Sequence, residues 1–150
     1  MKKVDIINQV TSMPDTDLAL LIDRFMRCIH FGLQERAPGF DRKAFGPSGG
    51  MVILTLADTG RISLNELTRR VARDKSQMTR MIGSLETKGL IRREASSDDG
   101  RVSLVLLTPE GETVANELMQ IVAEVIGNIL EPISQSEKQT LKELLSRVVG

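Results

Sequence analysis

The sequence predicts a mainly α-helical fold with one small β-hairpin. Two short helical patterns follow each other between Ser63 and Lys88, and they lead directly into a hairpin whose turn contains Asp99-Gly100. Long helical patterns with broad apolar stripes flank this region on both sides. Helix, turn, helix and hairpin in this order form a winged helix-turn-helix, and the flanking helices are left to associate with another surface.

The first helix of the pair is expected to begin at Ser63. Ser63 and Glu66 stand three residues apart, just before the apolar residues Leu67 and Val71. At this spacing the two side chains cap each other's backbone N–H groups. We therefore predict a reciprocal capping box at the start of a short helix.

The second helix of the pair is expected to begin within Arg73–Ser76 and to end at Gly89. Its large apolar residues recur at intervals of three and four, so they share one face that we expect to be buried. These residues are Met78, Met81, Ile82 and Leu85. Gly89 suits the left-handed conformation that ends a helix, and Lys88 suits the negative end of the helix dipole.

The opposite face of this second helix carries hydrogen-bond donors and acceptors and no large apolar side chain. Such a composition suits the major groove of double-stranded DNA. The residues of this face are Ser76, Gln77, Thr79, Arg80, Ser84 and Lys88. Those expected to read base edges are Gln77, Thr79 and Arg80. Those expected to bind phosphates are Arg73, Lys75 and Ser76.

A β-hairpin is expected after Gly89. The segments Leu90–Ala95 and Val102–Leu107 are rich in β-branched and Leu residues, and the stretch between them contains Asp99-Gly100, a strong hairpin signal. Arg101 lies at the tip of this wing. We expect its side chain to contact a phosphate or the minor groove of DNA, and the alternative is a solvated turn charge.

The charge of the chain is segregated along the sequence. The whole chain has a formal net charge of +0 at pH 7, which by itself argues against binding to nucleic acid. Between Arg61 and Arg101, however, ten Lys or Arg stand against six Asp or Glu, which gives this segment a net charge of +4. The remaining residues carry −4, so the sequence predicts a basic DNA-binding region on an acidic body.

Long amphipathic helices are expected at both ends of the chain. The first spans Asp15–Arg36 and stops near Ala37-Pro38-Gly39. Another begins after Thr108-Pro109, where an N-cap residue precedes a proline, and the last begins with a capping box at Ser134–Glu137. The segment Ala37–Gly50 is expected to be a loose connector.

The arrangement of these helices predicts a dimer. Met51–Ala57 has the propensity of a strand, but the order of elements favours a helix that supports the helix-turn-helix. The end helices are too apolar for one small domain to cover, so we expect a second chain to cover them. Two recognition helices about 34 Å apart would then meet successive major grooves of a pseudo-palindromic site. We expect one domain, 1–150, with the winged helix-turn-helix in 46–107 and the dimerisation helices in 1–37 and 108–150.

Catalysis and the binding of a metal or cofactor are not expected. The chain has one His, one Cys and no phosphate-binding glycine motif, so neither a metal site nor a nucleophile with its base can be assembled. A single Cys28 excludes an internal disulfide. Because no signal peptide or membrane-spanning run is present, we expect a cytoplasmic protein that does not bind a membrane.

These features together resemble the MarR family of transcriptional regulators, named for multiple antibiotic resistance. The resemblance covers nearly the whole chain and rests on the order and separation of five segments. They are Leu67-Thr68-Arg69-Arg70-Val71-Ala72, Lys75-Ser76-Gln77-Met78-Thr79-Arg80-Met81-Ile82, Leu85-Glu86-Thr87-Lys88-Gly89-Leu90-Ile91-Arg92-Arg93, Asp98-Asp99-Gly100-Arg101 and Leu107-Thr108-Pro109-Glu110-Gly111. The resemblance implies that Lys75 to Lys88 is the recognition helix and that Asp99 and Arg101 form the wing-tip pair that contacts DNA.

The resemblance also implies a ligand-responsive homodimer. A small anionic aromatic or lipophilic effector would enter between the dimer helices and the DNA-binding part and would release DNA. A repressor is therefore expected rather than an activator. Candidate lining residues are Met26, Arg27, Cys28, His30, Phe31, Phe40 and Phe45. For the apolar members of this set, packing in the core is the alternative.

Two other functions remain open from the sequence. A winged helix can serve as a protein-interaction module without DNA binding, and then the polar face of the second helix would be ordinary surface. A thiol-based, redox-responsive regulator that uses Cys28 is the other alternative. One branch of the family holds its reactive thiol with Tyr hydroxyls, and this chain contains no Tyr.

Overall fold

The computed structural model describes residues 14–40 and 45–150, with the backbone alone for 37–40. The described part of the chain forms six helices and three strands. They are α1 (Thr16–Phe40), α2 (Gly46–Thr59), β1 (Ile62–Ser63), α3 (Leu64–Val71), α4 (Lys75–Thr87), β2 (Ile91–Ala95), β3 (Ser103–Leu107), α5 (Pro109–Ile129) and α6 (Gln135–Val149). The predicted fold class, mainly helical with a small hairpin wing, is confirmed.

The hairpin forms where the sequence predicts it. Strands β2 and β3 are antiparallel, and they pair from Ile91 with Leu107 to Ala95 with Ser103. Each strand begins one residue later than expected. On the inner face of β3, Val105 is fully buried, which fixes this strand against the helices.

A third strand was not predicted. Strand β1 consists of two residues, and its Ile62 pairs with Val105 of β3, so that the strand order is β1-β3-β2. Two residues are too few to show the period-two alternation by which a strand is recognised in a sequence. Because β1 leads directly into α3, it ties the wing to the start of the helix-turn-helix.

The core of the fold is built around α2. Val52, Ile53 and Leu56 of this helix are at most 2% exposed. The prediction that Met51–Ala57 is helical is therefore confirmed, with the helix extending from Gly46 to Thr59. The residues that surround α2 in the core include Leu67, Val71, Met78, Ile82, Leu85, Leu90, Ile91, Val105 and Ala115, with Met81 partly buried beside them.

The capping box predicted for α3 is only half formed. Ser63 is the N-cap, and its side chain accepts a hydrogen bond from the backbone N–H of Glu66 at 3.1 Å. The carboxylate of Glu66 does not return to Ser63. It binds Arg69 and Arg70, which lie three and four residues further along the same helix face. The prediction that the Glu66 carboxylate also binds the backbone N–H of Ser63 was therefore wrong.

Helix α1 is longer than the sequence predicts. The helix runs from Thr16 to Phe40 and passes through Ala37-Pro38-Gly39, where we expected it to stop. Pro38 lies in the last turn, where it removes one backbone donor and leaves the earlier turns intact. The connector expected over Ala37–Gly50 is correspondingly short, because α2 already begins at Gly46, and positions 41–44 lie outside the described residues.

The end helices expose their apolar side chains in the single chain. Helix α1 packs along α5, and the two helices meet where Gly32 of α1 lies against Val125 of α5. The exposed large apolar residues of the end helices are Leu18, Leu20, Leu21, Ile22, Met26, Phe31, Met119, Leu144, Leu145, Val148 and Val149. Over the described ranges, no helix has the length and hydropathy needed to cross a membrane.

Candidate nucleic-acid interface

Helix α4 presents its polar side to solvent, because its apolar side faces the core. Met78, Ile82 and Leu85 are buried. The polar residues between them on the helix surface are exposed, with Lys88 half-buried at the C-terminal end. The exposed residues of the predicted DNA-binding face are Ser76, Gln77, Thr79, Arg80 and Ser84. The structure therefore brings the residues of the predicted DNA-binding face together on one continuous helix edge.

Asp74 organises the start of α4. Its Oδ1 accepts hydrogen bonds from the backbone N–H of Gln77 at 2.8 Å and from Oγ of Ser76 at 2.9 Å. The Gln77 N–H bond and the Ser76 hydroxyl lower the pKa of Asp74, and the nearby Arg80 guanidinium adds to this effect. The hydroxyl hydrogen of Ser76 is thus committed to Asp74, and Ser76 can offer a DNA phosphate this hydrogen only by releasing the cap.

Several of the basic residues counted in this region are neutralised within the chain. Glu66 binds both Arg69 and Arg70, so that one carboxylate occupies two guanidinium groups of α3. Glu94 on β2 binds Arg61 at 2.7 Å and approaches Arg92 at 3.7 Å. The net charge of the segment is unaffected by this pairing, but these cations are directed towards carboxylates rather than towards solvent.

An ion pair also connects α4 with the wing. Nε of Arg93 on β2 donates to Oε1 of Glu86 on α4 at 2.8 Å. The two residues are seven positions apart, but α4 ends at Thr87 between them, so the pair joins a helix to a strand and is not a contact along one helix face. Sequence reasoning missed this pair, and the only signal available was the presence of opposite charges on either side of Gly89.

Four cations at this surface remain without an ion-pair partner among the described residues. They are Arg73, Lys75, Arg80 and Arg101. The first three lie at the turn before α4 or on its exposed edge, and all three are exposed. Arg101 is exposed at the tip of the wing. These side chains form a basic edge, which we define as Arg73, Lys75, Arg80 and Arg101.

Asp99 shapes the wing tip. Its Oδ1 accepts a hydrogen bond from the backbone N–H of Arg101 at 3.0 Å, and its carbonyl oxygen accepts from the N–H of Val102 at 3.0 Å. The carboxylate is therefore engaged in holding the turn. The role that the structure supports for Asp99 is to orient the backbone that carries Arg101, and the guanidinium of Arg101 remains exposed.

A groove lies between the start of α2 and the exposed edge of α4. Its volume is about 420 Å³, and its lining residues are Phe45, Ser48, Val71, Arg73, Gln77, Met78, Arg80, Met81 and Ser84. Phe45, a predicted ligand residue, is only 8% exposed and belongs to the core. The structure thus places Phe45 beside predicted DNA-binding residues and apart from the other ligand candidates.

The remaining ligand candidates lie along α1. Met26, Arg27, Cys28, His30 and Phe31 are all exposed. The guanidinium of Arg27 binds Asp23 one turn earlier at 2.7 Å, so its charge is engaged within the helix. The side chain of Phe40 lies outside the described residues. The structure brings these candidates to the same helix, and none of them lines the groove beside α4.

Comparison with known proteins distinguishes between the functions that this fold allows. A family model described as the MarR family matches residues 48–103. The HTH-type transcriptional regulator SarZ of Staphylococcus haemolyticus is 31% identical over 100 residues, which cover 67% of this chain and 67% of that protein. The chain belongs to the MarR family. The family resemblance inferred from the sequence is therefore confirmed, and the protein is a DNA-binding transcriptional regulator.

Solved structures agree with this assignment at the level of fold. The apo form of wild-type MarR from E. coli is 23% identical, covers 92% of this chain and 98% of its own, and superposes with a TM-score of 0.70. BpsR of Bordetella bronchiseptica, whose DNA binding is regulated by 6-hydroxynicotinic acid, is 21% identical, with coverage of 87% and 91% and a TM-score of 0.66. The chain therefore has the winged-helix fold of MarR regulators.

Proposed function

We propose that this MarR-family protein binds a pseudo-palindromic DNA site as a homodimer. The main observation that supports this proposal is the basic edge. Three of its four cations lie before or on the solvent-facing side of α4, the fourth lies at the tip of the wing, and none forms a direct ion pair with a described carboxylate. Cations that are already paired within a protein contribute less to phosphate binding, so the unpaired set indicates where the duplex lies.

Within this interface we assign different tasks to different residues. Gln77, Thr79 and Arg80 lie on the first two turns of α4, and such positions of a recognition helix reach base edges in the major groove. Arg73 and Lys75 flank the helix start, where phosphates bind favourably. Ser76 assists there when its hydroxyl leaves Asp74. Ser84 and Lys88 extend the contact along the helix, and Asp99 presents Arg101 to the backbone or the minor groove.

The dimer is formed by the end helices. Their exposed apolar side chains lie on α1, α5 and α6 and not on the exposed edge of α4. An apolar surface of this extent is stable in water when a second copy covers it, and a two-fold operation repeats the same surface on both partners. We accordingly divide the chain into a DNA-binding part at 46–107 and a dimerisation part at 1–37 and 108–150.

We further propose that a small anionic aromatic or lipophilic effector releases the DNA, so that the protein acts as a repressor. MarR-family regulators bind small molecules, and the structural neighbour BpsR responds to 6-hydroxynicotinic acid. The candidate contact residues remain Met26, Arg27, Cys28, His30, Phe31, Phe40 and Phe45. An effector lowers DNA affinity only to the extent that it binds the free conformation better than the DNA-bound one. The proposal includes no catalytic step and no cofactor.

A titration with two duplexes tests this function. The purified protein is titrated against the duplex upstream of its own gene and against a scrambled duplex of equal length and composition, each at two salt concentrations. We expect tight binding to the upstream duplex, two protomers per site, and an affinity that falls steeply with salt. Equally weak binding to both duplexes would favour a protein-interaction module instead.

A further inference from the structure

The C-terminal end of α4 is closed by a specific pair of backbone bonds. The N–H of Gly89 donates to the carbonyl of Glu86 at 2.9 Å, and the N–H of Leu90 donates to the carbonyl of Leu85 at 3.0 Å. Gly89 has φ +76°, and Leu85 and Leu90 are both fully buried. These bonds form a Schellman motif whose two flanking Leu residues belong to the same core, so the end of α4 has a defined geometry.

Thr108 donates hydrogen bonds to the carbonyl groups of the last two residues of this motif, Gly89 and Leu90. Oγ1 of Thr108 donates to the carbonyl of Gly89 at 2.6 Å, and the backbone N–H of Thr108 donates to the carbonyl of Leu90 at 3.0 Å. The same Oγ1 accepts from the N–H of Gly111 at 3.0 Å, which makes Thr108 the N-cap of α5. A single hydroxyl therefore joins the end of α4 to the beginning of α5.

The first turn of α5 lies directly against this junction. A Cβ atom at position 111 would be 1.9 Å from the carbonyl oxygen of Leu90, so only glycine fits there without a shift of backbone. The backbone of α5 thus lies against the backbone of Leu90, three residues beyond the end of α4, with no side chain at position 111 between them. A change in the direction of α5 must move Leu90, and with Leu90 the end of α4.

We propose that Thr108 is a positioning residue for DNA recognition, which sets the orientation of α4 relative to α5 and so the spacing of the two α4 helices in the dimer. The inference rests on the proposed function, because α5 belongs to the dimerisation part. Thr108 touches no DNA in this proposal. It acts by keeping each α4 in the one orientation that fits a groove when the partner's α4 is already bound.

A positioning role of Thr108 predicts different losses of affinity for duplexes with one and with two half-sites. Loss of the Thr108 hydroxyl would let α4 sample several orientations, of which only one binds DNA. The affinity of one α4 for its half-site is then multiplied by the fraction of time that the helix spends in that orientation. A duplex with two half-sites requires both helices to be competent at once. The loss of affinity for the full site is then the square of the loss for a single half-site, for example about ninefold against about threefold.

Three variants separate positioning from stability. Thr108→Val keeps the shape and removes both hydrogen bonds of the hydroxyl, whereas Thr108→Ser keeps them. Thr113→Val is the matched control, because the hydroxyl of Thr113 binds only the carbonyl of Pro109 in its own helix. The probes are a fluorescent duplex enriched by the wild-type protein from a random pool, and the same duplex with one half-site scrambled.

We expect Thr108→Val to lose about threefold for the single half-site and about ninefold for the full site, with Thr108→Ser and Thr113→Val close to wild type. Equal losses for both duplexes, as a lower folded fraction would produce, overturn the proposal. An affinity of Thr108→Ser as low as that of Thr108→Val would also overturn the proposal.

A second measurement needs no DNA. A spin label is placed at position 84 by Ser84→Cys in a Cys28→Ser background, and the distance between the two labels of the dimer is measured by electron paramagnetic resonance. Thr108→Val should broaden the distance distribution, and Thr108→Ser should not. An unchanged distribution in Thr108→Val refutes the positioning role, whereas failure of the wild type to select any duplex refutes the proposed function and leaves this distance test standing.

Discussion

The guanidinium of Arg93 binds the carboxylate of Glu86 at 2.8 Å, and this ion pair joins the exposed edge of α4 to the first strand of the wing. Both side chains are a little more than one third exposed, at 37% and 36%. Water and salt therefore weaken the attraction, and its main effect is on orientation. The pair connects the helix that carries Arg80 to the hairpin that carries Arg101.

A double-mutant cycle measures this pair. Glu86→Gln and Arg93→Gln, alone and together, should give a coupling of about 0.5 kcal/mol in the free energy of unfolding by urea at low salt. The coupling should weaken at about 1 M salt, where the Debye length of about 3 Å is close to the separation of the two groups. No coupling at low salt would mean that the two side chains do not interact in solution.

Replacement of the basic edge should separate base reading from phosphate binding. Arg80→Ala should reduce the preference for the selected site over a scrambled duplex, because a bidentate base contact discriminates by about 1 to 3 kcal/mol. Lys75→Ala should weaken all duplexes alike and make the salt dependence of log K shallower by about one unit per protomer. Both effects are read from anisotropy titrations at several salt concentrations.

The control for these replacements is Arg24→Ala. Arg24 is an exposed arginine of α1 that lies outside the proposed DNA interface and outside the candidate effector contacts. We expect its removal to leave both the selectivity and the salt dependence unchanged. Identical behaviour of the Arg80 and Lys75 variants would contradict the division of tasks between them.

Local sequence signals predicted the elements that make the interface. The apolar residues of α4 recur at helical intervals, Gly89 ends the helix with a positive φ, and Asp99-Gly100 lies in the turn of the hairpin. Each of these features depends on residues within about one or two helical turns of one another, which is the range over which sequence periodicity carries information. The position of the exposed polar face of α4 could therefore be predicted from the sequence.

Contacts between different helices and strands could not be predicted from the sequence. The pairing of Ile62 with Val105, the binding of Arg93 to Glu86 and the bond from Thr108 to Gly89 all join segments whose relative placement follows from the packed core. Competition also decided one local feature. Glu66 had the spacing of a capping residue, but arginines three and four positions later offered its carboxylate a charged partner instead.

The start of α4 should respond to acid through Asp74. The folded state lowers the pKa of Asp74 below its usual value of 3.8, because the ionised carboxylate accepts the hydrogen bonds of the cap. Its contribution to stability is therefore complete above the unfolded pKa and is lost as the pH falls through the lower, folded pKa. Asp74→Asn retains a capping side chain that does not titrate in this range.

We expect the stability of the wild type relative to Asp74→Asn to decrease between about pH 5 and about pH 3, in urea unfolding followed by circular dichroism. Other carboxylates, including Glu137 in the capping box of α6, titrate in both proteins and cancel in the difference. A difference that stays constant across this range would show that the Asp74 cap is not formed in solution.

Two glycines should respond to alanine with opposite signs. Gly83 lies inside α4 with open space around its Cβ position, so Gly83→Ala should stabilise the protein by up to about 1 kcal/mol through helix propensity. At Gly111 the new Cβ would lie 1.9 Å from the Leu90 carbonyl oxygen, and Gly111→Ala should destabilise by about 2 kcal/mol or more.

Gly111 does not have a positive φ, so the expected loss arises from the close approach of two backbones and not from backbone conformation. Thermal unfolding of both variants at the same protein concentration measures the difference. If Gly111→Ala were as stable as the wild type, α5 would not lie against Leu90 as described.

Helix α6 has no buried residue in the single chain, and its Leu144, Leu145 and Val148 are between 49% and 81% exposed. A 15-residue helix with an excellent N-cap is still only marginally stable in water by itself. In the proposed dimer the partner chain would act on α6 as a ligand that drives its folding. The number of copies of this regulator in a cell would then set how much of its C-terminal helix is ordered, and subunits that separate on dilution would lose structure as well as their partner.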